Sequence, residues 1–284
     1  MNSAPSELQT AVEKLFSLPP HELVYNDSAA VVCANFLEAL NCGHIRAAEK
    51  GADGAWVVNQ WVKHGILVLF RKGRLVDVSL DENFRFFDKD TLPVKPLTIE
   101  NNVRVVPGGS TIRTGAFVAH GVICMPPMYI NIGAYIDEGT MVDSHALVGT
   151  CAQIGKRVHI SAAAQIGGVL EPAGARPVII EDDVMIGGNC GVYEGVLIRS
   201  RAVLGSGVIL NASTPVYDIV HERIIRSTPE QPLEIPAGAV VVAGSRAITS
   251  VFGREHGLSI STPLIIKYRD EKTDARTALE DALR

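Results

Sequence analysis

The chain has 284 residues, of which 47% are hydrophobic and 20% charged, a composition typical of a globular protein rather than a disordered one. Its formal net charge of −5 argues against nucleic acid or an anionic membrane as a partner, because either requires a basic surface. No apolar run is long enough to span a membrane, and the first residues do not resemble a secretory signal, so we expect a cytoplasmic protein.

Residues 1–103 form the first predicted domain, which we expect to be rich in α-helix. The segments ELQTAVEKLFSL and SAAVVCANFLEALNCG carry apolar residues at helical spacing, and the second ends in a Gly suited to a helix C-terminus. The later segments IRAAEK, DGAW and LVLFRKGRLVDVSL predict short strands or a mixture of helix and strand. Because the apolar helix faces need a partner, we expect this domain to pack on the rest of the chain or on another subunit.

An aliphatic residue then recurs at every sixth position, with a slip of two residues between Ile166 and Ile180. Six residues per face predict short parallel strands that stack into a β-helix, with the aliphatic side chains inside. The chain is therefore expected to be mainly β. The positions are Ile112, Val118, Cys124, Ile130, Ile136, Val142, Val148, Ile154, Ile160 and Ile166, then Ile180, Ile186, Val192, Ile198, Leu204, Leu210 and Val216.

We assign residues 104–245 to this β-helix, with 217–234 as an insert that leaves it. Residues 246–284 form a small C-terminal extension of strands and a final amphipathic helix. Insertions at the corners of such a coil disturb only a turn, and surface segments of this kind often carry binding residues. Both interruptions are therefore expected to build binding walls.

Function on a β-helix has to come from side chains that point outward. Asp143 follows the aliphatic Val142, so it is either a corner residue that accepts a backbone hydrogen bond or a functional carboxylate. His159 is either a general base or a link between adjacent coils. Arg104 and Arg113 are either forks for a substrate carboxylate or solvated residues at strand ends.

The cysteine and histidine patterns argue against disulfides and metal. The five cysteines are scattered without a CxxC pair, which predicts buried free thiols in a reducing compartment. His120, His145 and His159 are not spaced by multiples of one coil, so we expect no metal site. No P-loop, GxSxG or dinucleotide-binding motif is present.

The six-residue pattern resembles that of hexapeptide-repeat acyltransferases, which are trimers of left-handed β-helices. The segments RVVP, NIGAYIDEGTMVDSHALVG, QIGGVLEP and VYEGV resemble the tetrahydrodipicolinate N-succinyltransferase family more specifically, over roughly residues 40–245. This resemblance implies a homotrimer that transfers succinyl from succinyl-CoA to the amine of tetrahydrodipicolinate, in diaminopimelate and lysine biosynthesis. It implies direct attack in a ternary complex, with succinyl-CoA as co-substrate and no tightly bound cofactor.

The same resemblance implies roles for particular residues. Arg104 falls on the Arg of RVVP and is expected to bind a substrate carboxylate. Asp143 falls on the Asp of GTMVD and is expected to bind or deprotonate the amine. The segment NCGVYEG places Gly191 where many members carry a Glu, so Glu194 or His145 becomes the second candidate for the proton transfer.

The coenzyme is expected to run along the outer face of the coil and the segment AGSR. Gly244, Ser245 and Arg246 are the candidates there, with Lys267 near a phosphate. Three other functions stay open: an acetyl-CoA-dependent N-acetyltransferase, a non-catalytic trimeric scaffold, and a γ-type carbonic anhydrase.

Overall fold

The computed structural model describes residues 6–228 and 231–269, and its first part is a helical layer with two short hairpins. Both predicted helices are present, and the segment LVLFR lies in a further helix because Val62, Ile66 and Leu69 recur at helical spacing and are buried. The elements are α1 (Glu7–Phe16), α2 (Pro20–Tyr25), α3 (Ser28–Asn41), β1 (Ala48–Lys50), β2 (Trp56–Val58), α4 (Gln60–Lys72), β3 (Leu75–Asp77), β4 (Phe87–Lys89) and a 3-10 turn (Ile99–Asn101).

The repeat region consists of two-residue strands separated by tight corners. The strands are β5 (Arg104–Val105), β6 (Thr111–Ile112), β7 (Phe117–Val118), β8 (Ile123–Cys124), β9 (Tyr129–Ile130), β10 (Tyr135–Ile136), β11 (Met141–Val142), β12 (Leu147–Val148), β13 (Gln153–Ile154), β14 (His159–Ile160), β15 (Gln165–Ile166), β16 (Ile179–Ile180), β17 (Met185–Ile186), β18 (Gly191–Val192), β19 (Leu197–Ile198), β20 (Val203–Leu204) and β21 (Ile209–Leu210).

These strands stack into three parallel sheets. Sheet 1 contains β5, β8, β11, β14, β17 and β20, sheet 2 contains β6, β9, β12, β15, β18 and β21, and sheet 3 contains β7, β10, β13, β16 and β19. Each strand pairs with the third strand along, so that Ile136 pairs with Ile154 on sheet 3. The second residue of nearly every strand is buried in one continuous apolar core, whereas the first faces outward. The prediction of a mainly-β, parallel, hexapeptide-repeat coil is confirmed.

The first interruption is larger than its two-residue slip suggested. Ile154 pairs with Ile180, 26 positions on, whereas Ile136 pairs with Ile154, 18 positions on. Eight extra residues therefore leave the prism between β15 and β16, in a segment that we call the insert loop (residues 167–178). A slip of two residues and an insertion of eight are indistinguishable in a pattern of period six.

The second interruption begins earlier than predicted. Val216 is buried as expected, but it does not continue the prism, because its strand pairs with β23 (Arg223–Ile225) and with β26 (Ser259–Tyr268). The next prism strand after β21 is β24 (Glu234–Ile235) on sheet 3. We call residues 211–233 the excursion. The remaining elements are β22 (Val216–Asp218), β23 (Arg223–Ile225), β24 (Glu234–Ile235), β25 (Ala239–Ala247), α5 (Val251–Glu255) and β26 (Ser259–Tyr268).

The C-terminal part extends sheet 1. Strand β25 pairs with β20 and then forms an antiparallel hairpin with β26. It runs through to Ala247, across the position where we divided the repeat domain from the C-terminal extension. The predicted final helix falls on residues 270–284, which lie outside the described residues.

The N-terminal domain packs on the repeat region, the first of the two expected alternatives. The Arg46 guanidinium lies 3.7 Å from the ring centroid of Tyr135 on sheet 3. Trp56 donates its indole N–H to Glu181 Oε1 at 3.0 Å, where Lys50 also lies at 3.1 Å. The N-terminal domain therefore covers sheet 3.

Candidate functional site

Asp143 lies at the corner between sheets 1 and 2, directly after β11. Its Oδ1 accepts a hydrogen bond from the backbone N–H of Ser144 at 2.7 Å, which is the corner role considered from the sequence. Asp137 and Asn131, one and two repeats earlier, accept the same bond from the residue that follows them. The corner bond is therefore a property of this repeat position and does not distinguish Asp143.

The neighbour of Asp143 on the next coil does distinguish it. His159, the outward residue of β14, places Nε2 at 3.9 Å from Asp143 Oδ2. The side chains are 16% and 30% exposed, respectively, so the pair is partly shielded from water but still accessible. A carboxylate beside an imidazole can hold an ammonium group and accept its proton. Sequence analysis singled out both residues, and the structure brings them together.

Arg104 begins the prism on the same sheet. It is exposed, and it pairs with Ile123, whose strand pairs in turn with the strand of Met141. Strand β5, which carries Arg104, lies two strand spacings, or about 10 Å, from β11, which precedes Asp143. Arg113 forms an ion pair at 2.6 Å with Asp88 of β4 through one nitrogen of its guanidinium group.

Glu194 lies at another corner, between sheets 2 and 3. Both Glu194 and Gly195 have left-handed backbone conformations, with φ of 53° and 73°. The Glu194 carboxylate accepts a hydrogen bond from Ala212 N–H at 2.9 Å through Oε2, which holds the start of the excursion. Asp143 and Glu194 are therefore one sheet and two coils apart, and a single chain does not bring the two candidate carboxylates together.

Glu194 lines a cleft of about 910 Å³ in volume. The prism corner forms its floor, the insert loop and Pro232 of the excursion form walls, and strand β2 closes one side. Its lining residues are Trp56, Val58, Gly167, Gly168, Val169, Glu171, Pro172, Gly174, Ala175, Arg176, Tyr193, Glu194, Asn211 and Pro232. Both interruptions of the repeat thus contribute to the walls of this cleft.

Two cations, one buried and one partly buried, hold the insert loop in place. Lys63 of α4 is fully buried and donates to the carbonyl oxygen of Ala175 at 2.6 Å, and burial lowers its pKa. Arg176 donates through Nε to the carbonyl of Gly195 at 2.9 Å and pairs with Glu234 at 2.9 Å. Neither residue was predicted from the sequence; the available signal was a Lys beside Val62, on a helix whose apolar residues recur at helical spacing.

The place left by Gly191 is occupied by another side chain. A Cβ atom at Gly191 would lie 2.4 Å from Cε2 and 2.8 Å from the hydroxyl oxygen of Tyr193. Tyr193 therefore folds back over the outer face of sheet 2, at the floor of the cleft. Tyr193 is a functional candidate that sequence reasoning did not single out.

The four candidate coenzyme residues lie along the β25–β26 hairpin but not at one point. Arg246 pairs with Ile260, whereas Lys267 pairs with Val240, six positions away along the strand. Six residues of extended strand span about 20 Å. Gly244 and Ser245 lie between them. Arg246 and Lys267 of one chain therefore cannot bind the same phosphate group.

A polar cluster outside these sites ties the excursion to β26. Asp218 is buried and accepts hydrogen bonds from His221 Nδ1 at 2.9 Å, from Arg223 Nε at 2.9 Å and from Tyr268 at 2.8 Å. Burial alone would raise the Asp218 pKa, but the three side-chain hydrogen bonds outweigh it and lower the pKa to about 2. No spacing in the sequence pointed to this cluster.

Within the described parts of the chain, no three His, Cys, Asp or Glu side chains are arranged to hold a metal ion. No helix in residues 6–228 and 231–269 is long and apolar enough to cross a membrane.

The fold defines a hexapeptide-repeat protein. Residues 177–212 match a family model described as the hexapeptide repeat of succinyl-transferase, and residues 7–71 match one described as the tetrahydrodipicolinate N-succinyltransferase N-terminal region. The 2,3,4,5-tetrahydropyridine-2,6-dicarboxylate N-succinyltransferase of Nitrobacter winogradskyi is 43% identical over 258 residues, which cover 87% of each chain. The protein of that name from Polynucleobacter asymbioticus is 41% identical over 290 residues and covers both chains fully. The chain belongs to the tetrahydrodipicolinate N-succinyltransferase family.

One solved structure, described as a putative 2,3,4,5-tetrahydropyridine-2-carboxylate N-succinyltransferase from Campylobacter jejuni, has a TM-score of 0.45 and 15% identity. The similarity covers 84% of this chain and 62% of that one, and it is too weak to argue from.

Proposed function

We propose that this protein transfers a succinyl group from succinyl-CoA to the amine of tetrahydrodipicolinate, a step of diaminopimelate and lysine biosynthesis. The observation that carries the proposal is the identity of 41–43% to N-succinyltransferases over most of each chain. The amine nitrogen attacks the thioester carbonyl, the C–S bond breaks, and the proton lost by nitrogen is returned to the departing thiolate. No acyl-enzyme forms, and succinyl-CoA is a co-substrate rather than a bound cofactor.

In this proposal Asp143, with His159 beside it, binds and deprotonates the amine. Arg104 binds a carboxylate of the acceptor, and Glu194 acts at the cleft corner. The separation of Asp143 from Glu194 within one chain supports a site that two subunits complete in a homotrimer. The coenzyme runs along the β25–β26 hairpin, past Arg246 and Lys267.

The architecture that we propose is a left-handed β-helix over residues 104–245, with an N-terminal domain (1–103) and a C-terminal extension (246–284). The outward apolar residues of sheets 1 and 2 support the trimer, because Met141, Met185 and Leu147 lie on these faces and are only partly buried. We further propose that the protein acts in the cytoplasm, where its co-substrate is made available.

The direct test is a thiol-release assay with tetrahydrodipicolinate or L-2-aminopimelate as acceptor, run with succinyl-CoA and with acetyl-CoA. Succinyl-dependent release supports the proposal, release with acetyl-CoA alone would indicate an acetyltransferase, and no release with either would indicate a scaffold.

The role of Asp143 is tested by Asp143→Asn, which we expect to lower kcat about 100-fold or more, the usual contribution of a positioned acid or base. Asp137→Asn is the matched control, since it has the same repeat position and the same backbone hydrogen bond at another corner. Equal turnover of the two variants would refute the assignment.

A further inference from the structure

The side chain of Tyr193 is seated on two glycines of adjacent coils. An added Cβ would come within 2.8 Å of Tyr193 Cδ1 at Gly167 and within 2.4 Å of Cε2 at Gly191. Any larger residue at either position would displace the ring. The two glycines therefore determine where the phenol lies on the cleft floor.

The corner that carries Tyr193 is held from both sides. Glu194 adopts a left-handed conformation with φ of 53°, which is costly for a residue other than glycine and persists where the surroundings fix the backbone. Arg176 bonds to the carbonyl of Gly195, and Ala212 N–H bonds to Glu194. The phenol ring is thus pre-positioned rather than mobile on its backbone.

The Tyr193 hydroxyl has no hydrogen-bond partner among the residues that the structure describes, although it lines the cleft. The carboxylate of Glu194 lines the same cleft and has only Oε2 engaged, by the Ala212 N–H. A hydroxyl donor next to a carboxylate suits a ligand with an anionic oxygen close to an amine. The amino-acid end of an acyl acceptor has that chemistry.

We propose that Tyr193 is a binding and specificity residue for the acyl acceptor. Its hydroxyl donates a hydrogen bond to the acceptor's carboxylate. The Glu194 carboxylate accepts a hydrogen bond from the same amine that Asp143 deprotonates, in the site that two subunits complete. This inference rests on the proposed function and adds a named contact to it.

The first test is Tyr193→Phe, which removes only the hydroxyl and leaves the ring on its glycines. The KM for acceptor and the calorimetric Kd for L-2-aminopimelate should rise about 10- to 100-fold, as expected for a lost hydrogen bond to a charged group. The KM for succinyl-CoA should stay within about twofold of wild type. Tyr135→Phe is the control, because that tyrosine lies under Arg46 on the covered sheet and should change none of these values.

The second test is Gly191→Ala, which keeps the hydroxyl but moves the ring. It should weaken acceptor binding as well, and the double variant with Tyr193→Phe should bind no more weakly than Tyr193→Phe alone, because both changes remove one contact. Additive losses would overturn the proposal, as would an unchanged acceptor Kd in Tyr193→Phe. A wild-type protein that binds L-2-aminopimelate but transfers no acyl group would refute the proposed function and leave this binding test valid.

Discussion

The interior of the prism and the two segments that leave it are stabilised in different ways. Inside, side chains such as Ile154 and Ile160 are fully buried and repeat the same apolar contact from coil to coil. The insert loop and the excursion depend instead on single charged groups, such as Lys63 at Ala175 and the Asp218 cluster. The interior therefore sets stability, whereas a few polar contacts set the shape of the cleft.

The largest effect on stability is expected from a cavity in the interior. Ile154→Ala should lower the free energy of unfolding by about 2–5 kcal/mol, because neighbouring coils cannot close around the missing carbons. Denaturant unfolding at a fixed protein concentration measures it. Ile99→Ala, at an 88% exposed position, should stay within about 0.5 kcal/mol of wild type. If Ile154→Ala lowered the free energy of unfolding by less than about 0.5 kcal/mol, the interior would contribute no more to stability than the surface does.

The interior was predictable because its physical rule is local. An inward position every six residues requires an aliphatic side chain, so the pattern alone identified the strands and their buried residues. The same rule predicted that Val216 is buried, but it did not predict which strand covers it. An aliphatic side chain suits burial against β26 as well as burial inside the prism.

The candidate site was only partly predictable. Asp143 and His159 are 16 positions apart, and their proximity follows from one coil of parallel stacking. The position of Glu194 does not follow, because a period of six cannot distinguish two extra residues from eight. The pattern therefore does not tell on which sheet each strand after the insert loop lies. Tyr193 was missed because its position depends on the absence of side chains at Gly167 and Gly191, which a search for functional side chains overlooks.

An intermediate effect is expected where the excursion meets β26. Asp218→Asn should lower the free energy of unfolding by about 1–3 kcal/mol, since charged hydrogen bonds to a buried carboxylate are weakened. The effect should depend on pH. The folded pKa of about 2 lies below the ordinary value of 3.8, so the stabilisation is complete above about pH 4 and is lost as the pH falls towards 2.

The measurement for Asp218 is the difference in unfolding free energy between wild type and variant from pH 6 to pH 2. The difference should be constant near neutrality and shrink in acid. A difference that stays constant down to pH 2 would mean that the hydrogen bonds from His221, Arg223 and Tyr268 do not lower the pKa of Asp218.

The smallest effect on stability is expected at Lys63, where a substitution should lower turnover much more than it lowers the free energy of unfolding. Lys63→Met removes a buried charge, which raises the free energy of unfolding. It also leaves the Ala175 carbonyl without its hydrogen-bond donor, which lowers the free energy of unfolding. The two terms offset, so the unfolding free energy should change by less than about 1 kcal/mol. The insert loop loses its anchor, so kcat/KM should fall about tenfold as the cleft wall becomes less well positioned.

Lys72→Met is the matched control for this loop. Lys72 lies on the same helix and donates to the carbonyls of Val24 and Asn26, at 2.6 and 3.2 Å, within the N-terminal domain. It has no contact with the insert loop, so its loss should change stability without lowering kcat/KM beyond about twofold. If both variants lost activity equally, the cleft would depend on the N-terminal domain as a whole rather than on the bond between Lys63 and Ala175. If only Lys63→Met lost activity, that bond would be what positions the cleft wall.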